Sequence, residues 1–157
     1  MATSSGVRAG IALALALAGC AALLVAKTVS AQSPGSDRVP VNVIVVHTSE
    51  GEGGVDPRAR DLDETLKKQL RYNSMRVIQQ ERVDLEMNRV GTVQLPDGRK
   101  VRMRPMHKGA KGVLMAVDVQ GAVKLDARAP NHHKVVIGAG EYEDGNLAVS
   151  IEPDYDE

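Results

Sequence analysis

The sequence predicts an α+β domain: one helix in an N-terminal β-α-β unit, packed on a mainly antiparallel sheet or half-barrel. Three patterns predict it. Residues Asp56 to Tyr72 (DPRARDLDETLKKQLRY) carry an apolar stripe at helical spacing, and from Gly91 onward the apolar period falls to two, as in half-buried strands. Ahead of the helix, every position from Val43 to Val46 is apolar, which suits a strand covered on both faces.

Residues 1–31 read as an export signal. Arg8 gives a short positive region, and Ile11 to Ala26 is an Ala/Leu-rich run interrupted only by Gly19 and Cys20. The run is short for a membrane span. Two processing routes compete. Val29-Ser30-Ala31 offers small residues for cleavage before Gln32, whereas Leu17-Ala18-Gly19-Cys20 resembles a bacterial lipobox that would lipidate Cys20. The hydrophobic stretch Ala21 to Ala26 favours the first route. The expected location is periplasmic or extracellular, alternatively lipid-anchored in the cell envelope, with membrane contact only through the signal or the lipid.

Cleavage after Ala31 leaves 126 of the 157 residues and no cysteine, so no disulfide staples the mature domain. There is no Phe or Trp, and Val, Leu, Ile, Met and Ala must fill the core. Losing Arg8 and Lys27 leaves 18 basic against 20 acidic residues, a balance that gives no argument for nucleic acid. Residues 32–39 (QSPGSDRV) form a polar linker, 40–152 a single domain, and 153–157 an acidic tail.

Within the domain, Val41 to Val46 make the first strand and SEGEGGV the following loop. Asp56 suits a helix cap and Pro57 the first helical position. Ala59, Leu62, Leu66 and Leu70 line one face, while Asp63–Lys67 and Glu64–Lys68 are acid-first pairs worth about 0.3 kcal/mol each. NSMRVIQQERVDLEM reads as the second strand. Val93 and Leu95, a turn at Pro96-Asp97-Gly98, and Val101 and Met103 follow as a hairpin with one wet face. Val113 to Val119, Val123 to Ala127, Val135 to Ile137 and Leu147 to Ile151 complete the strands.

Catalytic and metal motifs are absent from the sequence, and no cofactor is expected. The glycine-rich loop Ser49 to Val55 precedes a helix, where phosphates can bind, but Glu50, Glu52 and Asp56 repel anions and no Walker Lys-Ser/Thr pair is present. Nor do those acids supply the fixed oxygen set of a calcium loop. His132-His133 are neighbours that a strand would point to opposite faces, and His47 and His107 lie far off in sequence. Glu141, Glu143 and Asp144 read as solvated turn carboxylates.

The most suggestive feature is basic. Arg99, Lys100, Arg102, Arg104, Lys108 and Lys111 fall between Asp97 and Asp118 with no acid among them. Strand alternation sets Lys100, Arg102 and Arg104 on one face, opposite Val101 and Met103. Lys100, Arg102, Arg104, Lys108 and Lys111 are therefore the candidate ligand-binding residues, for an anionic lipid, a glycan or an acidic protein surface. Bases have no aromatic partner in this stretch, which excludes stacking on nucleic acid.

VNVIVVHTS, VDPRARDL and LRYNSMRVI together resemble small exported bacterial proteins of unassigned function. That resemblance implies export and an α/β module and carries no catalytic residue. Separately, HKVVIGAGEY resembles the hairpin segment of bacterial secretins, with Ala139 in place of their second glycine and the remainder of that domain missing. The function expected is a non-catalytic binding or structural module of the bacterial cell envelope. The alternative is a hydrolase whose site assembles from separated residues.

Overall fold

The structure, a computed structural model, describes residues 37–155. The expected export signal, both expected processing sites including Cys20, residues 32–36 of the expected linker and the last two residues lie outside the described residues.

Among the described residues, eight strands form two four-stranded antiparallel sheets. The first has the order β2-β1-β8-β7, from β1 (Arg38–Ser49), β2 (Ser74–Glu86), β7 (Val135–Tyr142) and β8 (Gly145–Pro153). The second has the order β3-β4-β5-β6, from β3 (Gly91–Gln94), β4 (Lys100–Gly109), β5 (Gly112–Val119) and β6 (Val123–Ala129). Their inner faces share one core. Val41, Val43, Val45, Val149 and Ile151 of the first sheet meet Val101, Met103, Met115 and Val117 of the second. The β-branched and thioether side chains fill this interior without a Phe or Trp ring.

The α+β expectation is overturned. The fold is predominantly β, a sandwich of two antiparallel sheets with one short helix, α1 (Arg60–Leu66), following a 3-10 turn at Pro57–Ala59. The helix lies between β1 and β2, and these two pair antiparallel with each other, so there is no β-α-β crossover. A crossover must carry the chain back to the far end of the first strand. Here the chain re-enters the sheet where it left: Asn73 N–H donates to the Ser49 carbonyl at 2.9 Å, and Ser49 pairs with Ser74. Helix length was overestimated for a local reason. The Leu66 carbonyl accepts from both Gln69 and Leu70, which closes the helix into a turn and leaves Leu70 beyond it.

Helix α1 covers the outer face of the first sheet. Ala59, Leu62, Leu66 and Tyr72 bury Ile44, Val46, Met75 and Ala148 in a second apolar cluster. Val43 to Val46 are thus buried alternately under the helix and in the sandwich, which accounts for their unbroken apolar run. Among the described residues the second sheet has no such cover, and buried residues alternate with exposed ones on β4 and half-buried ones on β5.

Asp56 ties the helix start to the sheet. Its carboxylate accepts from Arg58 N–H at 3.0 Å and Val77 N–H at 3.3 Å and pairs with the Arg58 guanidinium. Those bonds, Arg58 first, hold its pKa well below the ordinary 3.8. Asp63 is lowered by Lys67, and Asp154 by Arg82. Depressed carboxylates contribute stability that is complete above their unfolded pKa and is lost as pH falls through the folded value. Thermal unfolding should therefore show a Tm that is level from pH 7 to about 5 and falls below about pH 4. Asp56→Asn should flatten part of that acid limb; an unchanged limb would remove Asp56 from its cause.

Candidate functional site

The uncovered face of the second sheet carries the candidate residues. Val101 and Met103 point into the core, so Lys100, Arg102 and Arg104 stand on the solvent side of β4. Register then sets their neighbours. Arg102 lies opposite Asp118 of β5, which lies opposite Lys124 of β6. Arg102 donates to Asp118 at 2.8 Å, and Lys124 Nζ is 3.4 Å from the same oxygen. The stripe is therefore locally neutralised at Arg102, which its spacing between Asp97 and Asp118 had not suggested. Arg104 faces Ala116 across the ladder and donates to the Met106 sulfur at 3.8 Å. Among the described residues, neither Lys100 nor Arg104 has a carboxylate partner.

Two shallow depressions mark this face. One, of about 260 Å³, has Val90, Ala116 and Val117 as apolar lining and Arg102, Arg104, Lys124 and Asp118 as charged lining. Val90 is among the few large exposed apolar side chains, at 59%. The other, of about 590 Å³, is lined by Thr92, Gly98, Lys100, Arg102 and Gln120. Lys124 was missed by sequence reasoning, because only the β5–β6 register brings it beside Arg102.

Lys108 and Lys111 do not join this surface. The β4–β5 ladder shifts register between Pro105 and His107, so Lys108 pairs with Val113, a core residue. Its ammonium sits 4.2 Å from the Tyr155 ring, at the margin of the sandwich interior. Lys111 is exposed in the β4–β5 turn. Arg99 is also diverted: it pairs with Asp97 in the β3–β4 turn, and its guanidinium lies against Gly140 of β7.

The other sequence candidates separate as well. His132 faces Asp154 at 3.3 Å, while His133 Nδ1 contacts the Asn131 carbonyl at 2.8 Å, so the two rings engage different partners. Beyond β8, Tyr155 is pinned, since Asn131 donates to its carbonyl and accepts from its N–H. His47 is the surprise. It is buried on β1 at 2% exposure, with the Tyr142 ring edge-on at 5.6 Å and the exposed Asp144 carboxylate 3.4 Å from Nε2. Burial and the Glu143 carboxylate beside it raise the Tyr142 phenol pKa. Among the described residues, the His47 Nε2 has no hydrogen-bond partner.

The fold and site together define an antiparallel β-sandwich with one open, cationic sheet face. No protein-family model, curated protein or solved structure matches the chain.

Proposed function

We propose that this protein is a non-catalytic binding module of the bacterial cell envelope that takes an anionic ligand on the outer face of the second sheet. One observation carries the reading: a depression with apolar lining whose charged groups are Arg102, Arg104 and Lys124 against the single carboxylate of Asp118. An excess of cations beside apolar surface suits a phosphate or carboxylate attached to a less polar body. Envelope lipids and acidic glycans both present such groups. The exported character expected of residues 1–31 would place the domain among them.

The test is retention of the protein on vesicles containing phosphatidylglycerol and, separately, on an immobilised acidic polysaccharide. Lys100→Glu plus Arg104→Glu is the informative variant, because neither residue has a carboxylate partner to lose. It should abolish retention on whichever surface binds. Lys68→Glu plus Arg71→Glu, both exposed beside the helix, should retain it. Wild-type retention should weaken as salt rises from 0.1 M to 1 M, where the Debye length shrinks from about 10 Å to about 3 Å. Equal retention of the two double variants, or none by the wild type on either surface, defeats the reading.

A further inference from the structure

One end of the first sheet brings His47 of β1 beside the β7–β8 turn, nearly a hundred residues later in the chain. His47 is near the end of β1, where His47 pairs with Leu147 and Ser49 with Gly145 of β8. Tyr142 of β7 pairs with the same Gly145, so the two-residue turn Glu143-Asp144 hangs beside the end of β1. Val41, Val43, Val45 and His47 share one face by alternation, which turns the imidazole inward toward Tyr142 instead of out to solvent.

The buried imidazole has an unmet need. Its Nε2 is excluded from solvent and has no hydrogen-bond partner, although Asp144 Oδ1 is only 3.4 Å away. Buried polar atoms are ordinarily satisfied, and an exception calls for a cause. An ion pair alone supplies a poor one, since it would bury an imidazolium against a carboxylate that remains 69% exposed. A shared metal ion supplies a better one. Tetrahedral bonds of about 2.0–2.2 Å set two donor atoms roughly 3.3–3.6 Å apart, and the Nε2–Oδ1 separation falls in that interval. Glu143 supplies a third donor, and one ligand atom from each of the three residues lies within 4.8 Å of the others.

We propose that His47, Glu143 and Asp144 bind a divalent first-row transition-metal ion, with Zn²⁺ the best match. A neutral imidazole nitrogen with two carboxylates suits zinc, whereas calcium takes all-oxygen sets of six or more ligands. Water completes the coordination on the exposed side. Tyr142 holds the ring edge-on and so fixes the direction of Nε2. The site is independent of the cationic sheet face, and shares no residue with it.

Isothermal titration of the metal-stripped full chain with ZnCl₂, together with ¹⁵N-detected NMR of the imidazoles, tests this. One Zn²⁺ per chain should bind, and the His47 ring nitrogens should shift on addition. Glu143→Asn and Asp144→Asn should each weaken binding at least tenfold. Asparagine suits the backbone at position 143, where φ is 49°, so that variant keeps its fold. His132→Ala plus His133→Ala should bind as the wild type does. Unaltered affinity in both carboxylate variants, or His47 signals that ignore zinc, overturns the proposal. So does a titration in which EDTA-treated protein takes up no metal.

Discussion

Leu66→Ala should lower the free energy of unfolding by about 2–5 kcal/mol. Leu66 is 1% exposed and sits in the cluster that joins the helix to the outer face of the first sheet. The helix itself is only seven residues long, too short to persist without packing. Truncation therefore opens a cavity and loosens the cover over Ile44, Val46 and Ala148. Thr65→Ala, on the exposed side of the same turn, should stay within about 0.5 kcal/mol of wild type. Urea unfolding followed at constant m gives both values. A loss under about 0.5 kcal/mol for Leu66→Ala would mean that the helix is not docked on the sheet.

What was legible in the sequence is what burial writes into a single strand. Val43 to Val46 are continuously apolar because helix and sandwich cover both faces. Lys100 to Arg104 alternate because only one face of the second sheet is covered, so the placement of Lys100, Arg102 and Arg104 was readable. Asp56 and Pro57 marked the start of the helical segment, and Asp56 caps its 3-10 turn, whereas α1 begins at Arg60 without a side-chain cap. The stripe Ala59, Leu62 and Leu66 marked the buried face.

What was not legible depends on pairing between strands distant in sequence. Periodicity identifies a strand but carries no information on its direction or neighbours. The α+β reading failed there, since the return of the chain is set by Asn73 bonding to Ser49, not by any apolar pattern. Likewise Asp118 neutralises Arg102 only because of the β4–β5 register. One missed signal was available. Pro105 cannot donate a ladder hydrogen bond, so an irregularity near it was foreseeable, and with it the diversion of Lys108 from the stripe. His47 shows the same limit. Its inward parity with Val43 and Val45 was readable, whereas the β7–β8 turn beside it was not.

Gly112→Ala should cost about 2–6 kcal/mol, combining backbone strain with a steric clash. Gly112 closes the β4–β5 turn opposite Gly109 with φ at +102°, outside the regions open to L side chains. A methyl group there would also run into the Ala129 carbonyl and come within 2.5 Å of Pro130 Cα. Those atoms are backbone at the end of β6, and Ala129 is itself fully buried, so they cannot move without disturbing the edge of the core. Two other glycines separate the components. Gly98→Ala adds a methyl at φ +86° into open space and should cost only the conformational part, about 1–2 kcal/mol. Gly138→Ala meets nothing within 4 Å at an ordinary φ and should be neutral or gain up to about 1 kcal/mol from the unfolded chain. Urea denaturation of the three variants should rank Gly112→Ala well below Gly98→Ala, and Gly98→Ala below Gly138→Ala. If Gly112→Ala and Gly98→Ala lose the same stability, the close approach of β5 to the end of β6 does not exist in solution.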